Sequence, residues 1–84
     1  MIVAFSEKAW EDYLYWQATD KATVKRLNAL LNDMFRHPFE GIGMPEALKH
    51  EWSSYWSRRI DQEHRLVYKV SNAQIIIAQC RYLY

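Results

Sequence analysis

The chain has one cysteine, two glycines and two prolines in 84 residues. A lone thiol, Cys80, excludes a disulfide scaffold and a Cys-rich zinc site. The three histidines, His37, His50 and His64, are not spaced as metal ligands. So little glycine and proline, beside 50% hydrophobic and 25% charged residues, excludes collagen-like repeats and a disordered tail. Apolar runs such as Ile75-Ile76-Ile77-Ala78 fall far short of the ~20 residues that span a bilayer. No basic segment precedes an apolar one at the N-terminus, so no signal peptide and a cytoplasmic location are expected. A net charge of +1 is too small to mark a nucleic-acid-binding protein by composition alone.

The length suits one domain, residues 1–84, and area scaling gives a folded surface of about 5,300 Å². Charge is unevenly distributed along it. Residues 1–51 carry six basic and eight acidic side chains, whereas residues 52–84 carry five basic and two acidic. The basic group of that last third, Arg58, Arg59, Arg65, Lys69 and Arg81, is mostly arginine. Guanidinium forks match phosphate oxygens, so the expectation is phosphate recognition there.

Periodicity divides the chain in two. Ile2-Val3-Ala4-Phe5 is a short β-prone opening. Ser6 is a good N-cap, followed by Glu7, Glu11 and Asp12 where the helix dipole favours acids. Trp10, Tyr13, Leu14 and Ala18 recur at helical spacing over 7–18, and the first three are expected to form the helix-to-sheet core. Asp20 caps a second helix over 21–36, with Val24, Leu27, Leu31 and Met34 as its apolar stripe. It ends at His37-Pro38, because the residue before proline avoids the α region. Residues 37–47 hold every glycine and proline and form the one long loop. Beyond it the period becomes two, giving strands over 47–51, 55–61, 64–71 and 74–82. Short links make these strands antiparallel. The expected fold is α+β, in the order β-α-α-β-β-β-β, a two-helix hairpin packed on one face of an antiparallel sheet.

The other sheet face is then open, and alternation decides what occupies it. Leu66, Tyr68 and Val70 share one side of their strand; Arg65, Val67 and Lys69 share the other. A turn centred on Asn72 places Arg65 opposite Gln79, so Gln79, Arg81 and Leu83 join the arginine face. Arg59 joins it only if Asp61-Gln62-Glu63 is a three-residue turn; a two-residue turn sends it to the helices. The candidate constellation is Glu46 and Lys49 at the loop exit, Arg59 and Arg65 on the sheet, and Arg81 to Tyr84 at the C-terminus. One carboxylate facing several cations suits phosphodiester chemistry, with a general base and stabilisation of a pentavalent phosphorane. Mixed acids and bases on an exposed sheet are also commonly a salt-bridged surface.

Trp10-Glu11-Asp12-Tyr13-Leu14-Tyr15-Trp16-Gln17, Pro38-Phe39-Glu40-Gly41, Glu46-Ala47-Leu48-Lys49-His50, Trp56-Ser57-Arg58-Arg59-Ile60, Glu63-His64-Arg65-Leu66-Val67-Tyr68 and Cys80-Arg81-Tyr82 are familiar in that order. Through these segments the chain resembles, end to end, the YoeB toxins of the RelE/ParE superfamily. The resemblance implies a RelE-like fold and the toxin of a type II toxin–antitoxin system. It implies an mRNA endoribonuclease acting in the ribosomal A site by 2′-OH attack, without metal or cofactor. The family's base falls on Glu46 and its phosphate-holding residue on Arg65. Lys49, Arg59 and Glu63 match supporting positions, Arg81 is placed with the substrate-binding set, and Tyr84 matches the terminal tyrosine. A YefM-type antitoxin would cover this surface and join the toxin on operator DNA; a homodimer is also implied.

One position departs from that pattern. The family ends Arg-Tyr-His-Tyr, whereas this chain ends Arg81-Tyr82-Leu83-Tyr84. The histidine is the family's general acid, and leucine carries no proton to give. Strongly impaired cleavage follows, unless Tyr84, Arg65 or Lys49 supplies the proton. Two other readings stand beside it: an inactive homologue that only binds antitoxin and represses its operon, and a gyrase inhibitor of the ParE kind.

Overall fold

The computed structural model describes residues 1–84. Ser6 caps α1 (Glu7–Thr19) by accepting the Ala9 N–H at 3.0 Å, and its hydroxyl donates to the Ala78 carbonyl at 2.8 Å. Asp20 alone separates α1 from α2 (Lys21–Arg36). Its N–H closes α1 on the Trp16 carbonyl, while its carboxylate accepts the Thr23 N–H and opens α2. One residue serving both helices forces the chain to reverse there.

The strands are β1 (Ile2–Phe5), β2 (Glu46–Ala47), β3 (Trp56–Arg59), β4 (Arg65–Ser71) and β5 (Gln74–Gln79), in the order β1-β5-β4-β3-β2. β2 to β5 pair antiparallel, as their short links require. β1 has no such link to β5 and pairs with it in parallel, Ile2 opposite Gln74 through Phe5 opposite Ile77, so the complete sheet is mixed. Ala9 and Trp16 of α1 and Leu27, Leu30 and Met34 of α2 pack on Leu66, Tyr68, Ile75 and Ile77 to form the core. The folded surface is 5365 Å².

Three expectations are corrected. On α1 the buried positions are Ala9, Asp12 and Trp16, whereas Trp10 and Leu14 are 48% and 43% exposed. Small Ala9 and charged Asp12 give no hydrophobic signal, so the apolar residues beside them misplace the buried stripe. The strand expected over 47–51 shrinks to Glu46–Ala47. His50, at φ 59°, turns the chain into a short 3-10 helix, His50–Trp52. The last strand stops at Gln79 because α1 takes the backbone of Cys80. Asp12 accepts the Cys80 N–H at 3.1 Å and the Trp16 indole donates to its carbonyl at 2.9 Å.

Cys80 itself is buried against the Ala9 carbonyl. Burial, reinforced by the Asp12 carboxylate, pushes its thiol up to about 12. With the thiolate as the reactive form, a disulfide reagent at pH 8 is expected to label Cys80 only as fast as the chain unfolds. Rapid stoichiometric labelling of the native protein would contradict this burial.

Candidate active site

Glu46 is delivered by the loop over 37–45, which is organised by a side chain the charge pattern misassigns. The charge pattern groups Arg58 with the phosphate-binding cations, yet it is fully buried. On β3 it lies opposite Leu66, on the helix side, and points under the loop. Its guanidinium donates to the carbonyls of His37, Glu40 and Ile42 and pairs with Asp33 at 2.6 Å. Tyr68 adds a 2.7 Å bond to the Pro38 carbonyl, and Asp33 accepts the Ile42 N–H. Hydrogen bonding to Arg58 holds the Asp33 carboxyl below its usual range, and burial pushes the Tyr68 phenol up. Gly41, at φ 113°, makes room for this pair: a Cβ there would lie 2.0 Å from the Asp33 carboxylate.

The open face follows from register. Ile60 and His64 close a three-residue turn, their backbones joined at 3.0 Å, so Arg59 stands directly opposite Arg65. Of the two alternatives for this link, the structure takes the one that brings Arg59 to the face. One row of that face runs Glu46, Ser57, Val67, Gln79, each opposite the next. Residues directly opposite share a side, so Glu46 and the Arg59–Arg65 pair occupy the same surface. Gln79 reaches it differently than expected. The β4–β5 turn is a two-residue turn with Ser71 opposite Gln74, and a bulge after Val67–Gln79 restores the parity. Gln79 therefore faces Val67 rather than Arg65.

Arg59 and Arg65 have no carboxylate partner; the ion pairs in the fold are Lys8–Asp12 and Arg58–Asp33. Arg65 Nη1 donates to the carbonyls of Asp61 at 2.7 Å and His64 at 3.1 Å, leaving Nη2 and Nε free. The turn that orients it is stabilised by Asp61, whose carboxylate accepts the N–H groups of Glu63 and His64. Glu63 is exposed in this turn and engages it through its backbone N–H alone.

After Cys80 the chain folds back over the same face. The Arg65 N–H donates to the Tyr82 carbonyl, and the Tyr84 hydroxyl comes within 3.4 Å of Glu46 Oε1. Glu46, Lys49, His50, Trp52 and Tyr84 thus line one open groove of about 530 Å³. Leu83 is 59% exposed on this strap. Arg81 does not join the groove: its guanidinium stacks on the ring of Tyr15 of α1, 3.5 Å from the centroid. No three His, Cys, Asp or Glu side chains come together as a metal-binding set.

Trp52, Gln79 and His64 also belong to this site: alternation already sets Gln79 on the arginine face, but none of the three stands in the constellation expected from the sequence. Trp52 is half-buried, edge-on to Tyr55 and Tyr84, and walls the groove. His64 is half-buried, and its Nδ1 accepts the Tyr82 N–H at 2.7 Å. A surplus of tryptophan was the one available signal for Trp52; the other two roles depend on a chain path with no local signature.

The family described as YoeB-like toxin of bacterial type II toxin–antitoxin systems matches residues 5–84. Toxin YoeB of Escherichia coli K12 is 57% identical over 84 residues, covering all of both chains. Among solved structures, a YoeB/ParE toxin from Agrobacterium tumefaciens superposes with a TM-score of 0.98 at 43% identity, with full coverage of both. The YoeB of Staphylococcus aureus, 49% identical, has been solved in a heterotetrameric complex with YefM (TM-score 0.92) and as a dimer (TM-score 0.93). Each comparison covers 100% of this chain and 98% of the other.

Proposed function

The chain belongs to the YoeB-like toxins of bacterial type II toxin–antitoxin systems, and from that premise we propose a ribosome-dependent mRNA endoribonuclease cutting within the A-site codon. The observation that carries this reading is the unneutralised Arg59–Arg65 pair on the same face as Glu46. Like charges directly opposite across a sheet repel. A phosphate between them relieves that repulsion, and the free nitrogens of Arg65 supply a fork for its oxygens.

In this mechanism Glu46 removes the proton of the 2′-hydroxyl. The 2′-oxygen then attacks the adjacent phosphorus, passing through a pentavalent phosphorane whose charge Arg65 and Arg59 stabilise. The P–O5′ bond breaks, leaving a 2′,3′-cyclic phosphate upstream and a 5′-hydroxyl downstream once the leaving oxygen takes a proton. Leu83 has no proton to give, and Lys49 and Tyr84, which line the groove, carry donors in its place. Trp52 and Tyr84 offer aromatic faces to an unstacked base, a mode worth about 1–3 kcal/mol per base. No cofactor takes part.

The antitoxin partner is of the YefM type, in line with the complex formed by the S. aureus relative, and a second copy of the chain is a further partner. Operator DNA is reached through the antitoxin complex, and the site of action is the cytoplasm. Leu83 favours one other reading, a toxin that binds antitoxin and ribosome without cutting.

Primer extension on mRNA in programmed ribosomes separates them. The nuclease reading expects breaks confined to the A-site codon, absent without ribosomes and reduced at least ~10²-fold in Glu46→Ala. Cleavage that Glu46→Ala leaves untouched removes the proposed base, and an uncut message at saturating toxin supports the binding-only reading.

A further inference from the structure

We propose that Gln79, together with His64, is a positioning residue of the cleavage site, a role that rests on the nuclease reading above. The two side chains tie down the strap over 80–84, so that the Tyr84 hydroxyl is presented to Glu46. A terminal pentapeptide outside the sheet ordinarily frays. This one also contains Tyr82 at φ 67°, a left-handed conformation that bulky residues avoid unless their surroundings enforce it.

The enforcing contacts converge from three sides. Gln79 Nε2 donates to the Arg81 carbonyl at 3.1 Å and the Leu83 carbonyl at 3.2 Å. The Tyr82 N–H donates to His64 Nδ1 at 2.7 Å, and the Tyr82 carbonyl accepts from the Arg65 backbone at 3.0 Å. The His64 ring is itself fixed edge-on against Trp16, 4.8 Å between centroids. Gln79 is available for this task only because of the bulge between Val67 and Tyr68. Without it, the two-residue β4–β5 turn would place Gln79 opposite Leu66 and aim its carboxamide at the helices. Bulges beside active sites commonly re-aim a side chain in this way. The strap's ties are thus built by the sheet and end at the Tyr84–Glu46 contact.

The test uses the full chain carrying Leu83→His, so that the general acid is present. Gln79→Met keeps the side-chain length without the donors; His64→Ala removes the acceptor, and His64→Asn restores one at the same place. On programmed ribosomes, Gln79→Met and His64→Ala are expected to lower kcat about 10- to 100-fold at unchanged KM, with His64→Asn recovering most of it. Melting temperatures should stay within about 4 °C. Carboxypeptidase A gives a readout without RNA: Tyr84 should be released slowly from the parent and His64→Asn chains and at least ~10-fold faster from the other two, as a freed terminus exposes its peptide bonds. Equal release from all chains overturns the ties. Faster release with kcat unchanged overturns the positioning role and leaves the nuclease standing. A Leu83→His chain that cuts no message on ribosomes overturns the nuclease reading and the positioning role with it, while the release rates still report the ties.

Discussion

Leu83→His is expected to raise the rate of A-site cleavage by about 10²–10⁴-fold over the parent chain, the usual worth of a positioned general acid. Residue 83 sits on the strap beside Tyr84, exposed to solvent and with its backbone carbonyl held by Gln79. An imidazole there enters open space rather than a packed core, so the substitution is expected to leave the fold intact. Single-turnover cleavage on programmed ribosomes separates the chemical step from binding and gives the ratio directly. An unchanged rate in a parent that already cuts well would transfer the acid's role to Tyr84 or Lys49. Tyr84→Phe and Lys49→Met would then distinguish them, the true donor showing the loss.

Arg58→Met is expected to cost about 3–5 kcal/mol, because three loop carbonyls lose their donor at once and the partly exposed Asp33 carboxylate loses its ion-pair partner. Against a total of about 5–15 kcal/mol for a natural domain, that is a large share of the stability. The melting temperature should fall by more than about 12 °C, measurable by circular dichroism at pH 7. The loss has an acid-side signature. Asp33 is held below its ordinary value of 3.8 in the fold, so the stability its pairing contributes is fully present above that value. It is lost as pH falls toward the lowered folded value. The gap between parent and variant should therefore narrow below about pH 4, where Asp33 takes up its proton. A gap that widens on acidification would contradict the pairing. Since the same guanidinium orders the loop leading to Glu46, any folded Arg58→Met protein should also cleave more slowly.

The parts of this molecule that were legible in its sequence are those with local causes. Ser6 and Asp20 mark helix starts because capping is a contact within one turn, and His37-Pro38 marks an end because proline restricts its neighbour. The alternation of Arg65, Val67 and Lys69 against Leu66, Tyr68 and Val70 correctly separates the two faces of β4. The placement of Arg59 beside Arg65 follows from that alternation once the Asp61–Glu63 turn has three residues, whereas Tyr84 reaches Glu46 only through the strap beyond β5.

What stayed hidden depends on groups far apart in the chain. Arg58 and Arg59 are adjacent and chemically identical, yet one is sealed under a loop and the other stands in the open. Only the parity of β3 against the helices distinguishes them. The end of β5 is set by Asp12 and Trp16, more than sixty positions away, and the re-aiming of Gln79 by a bulge with no glycine to announce it. Arg81 was assigned to the groove by extending β5 through it. Once the strand stops at Gln79, its guanidinium is drawn to Tyr15 instead.

The most direct test of the central claim is chemical. A message carrying a single 2′-deoxynucleotide at the attacked position of the A-site codon is bound to ribosomes and treated with the Leu83→His chain beside an all-ribose control. Attack by the 2′-hydroxyl, with Glu46 as its base, predicts that the control ends in a 2′,3′-cyclic phosphate and that the deoxy message stays whole. Cleavage of the deoxy message at the same bond would contradict the mechanism, because an outside nucleophile would then be cutting the chain.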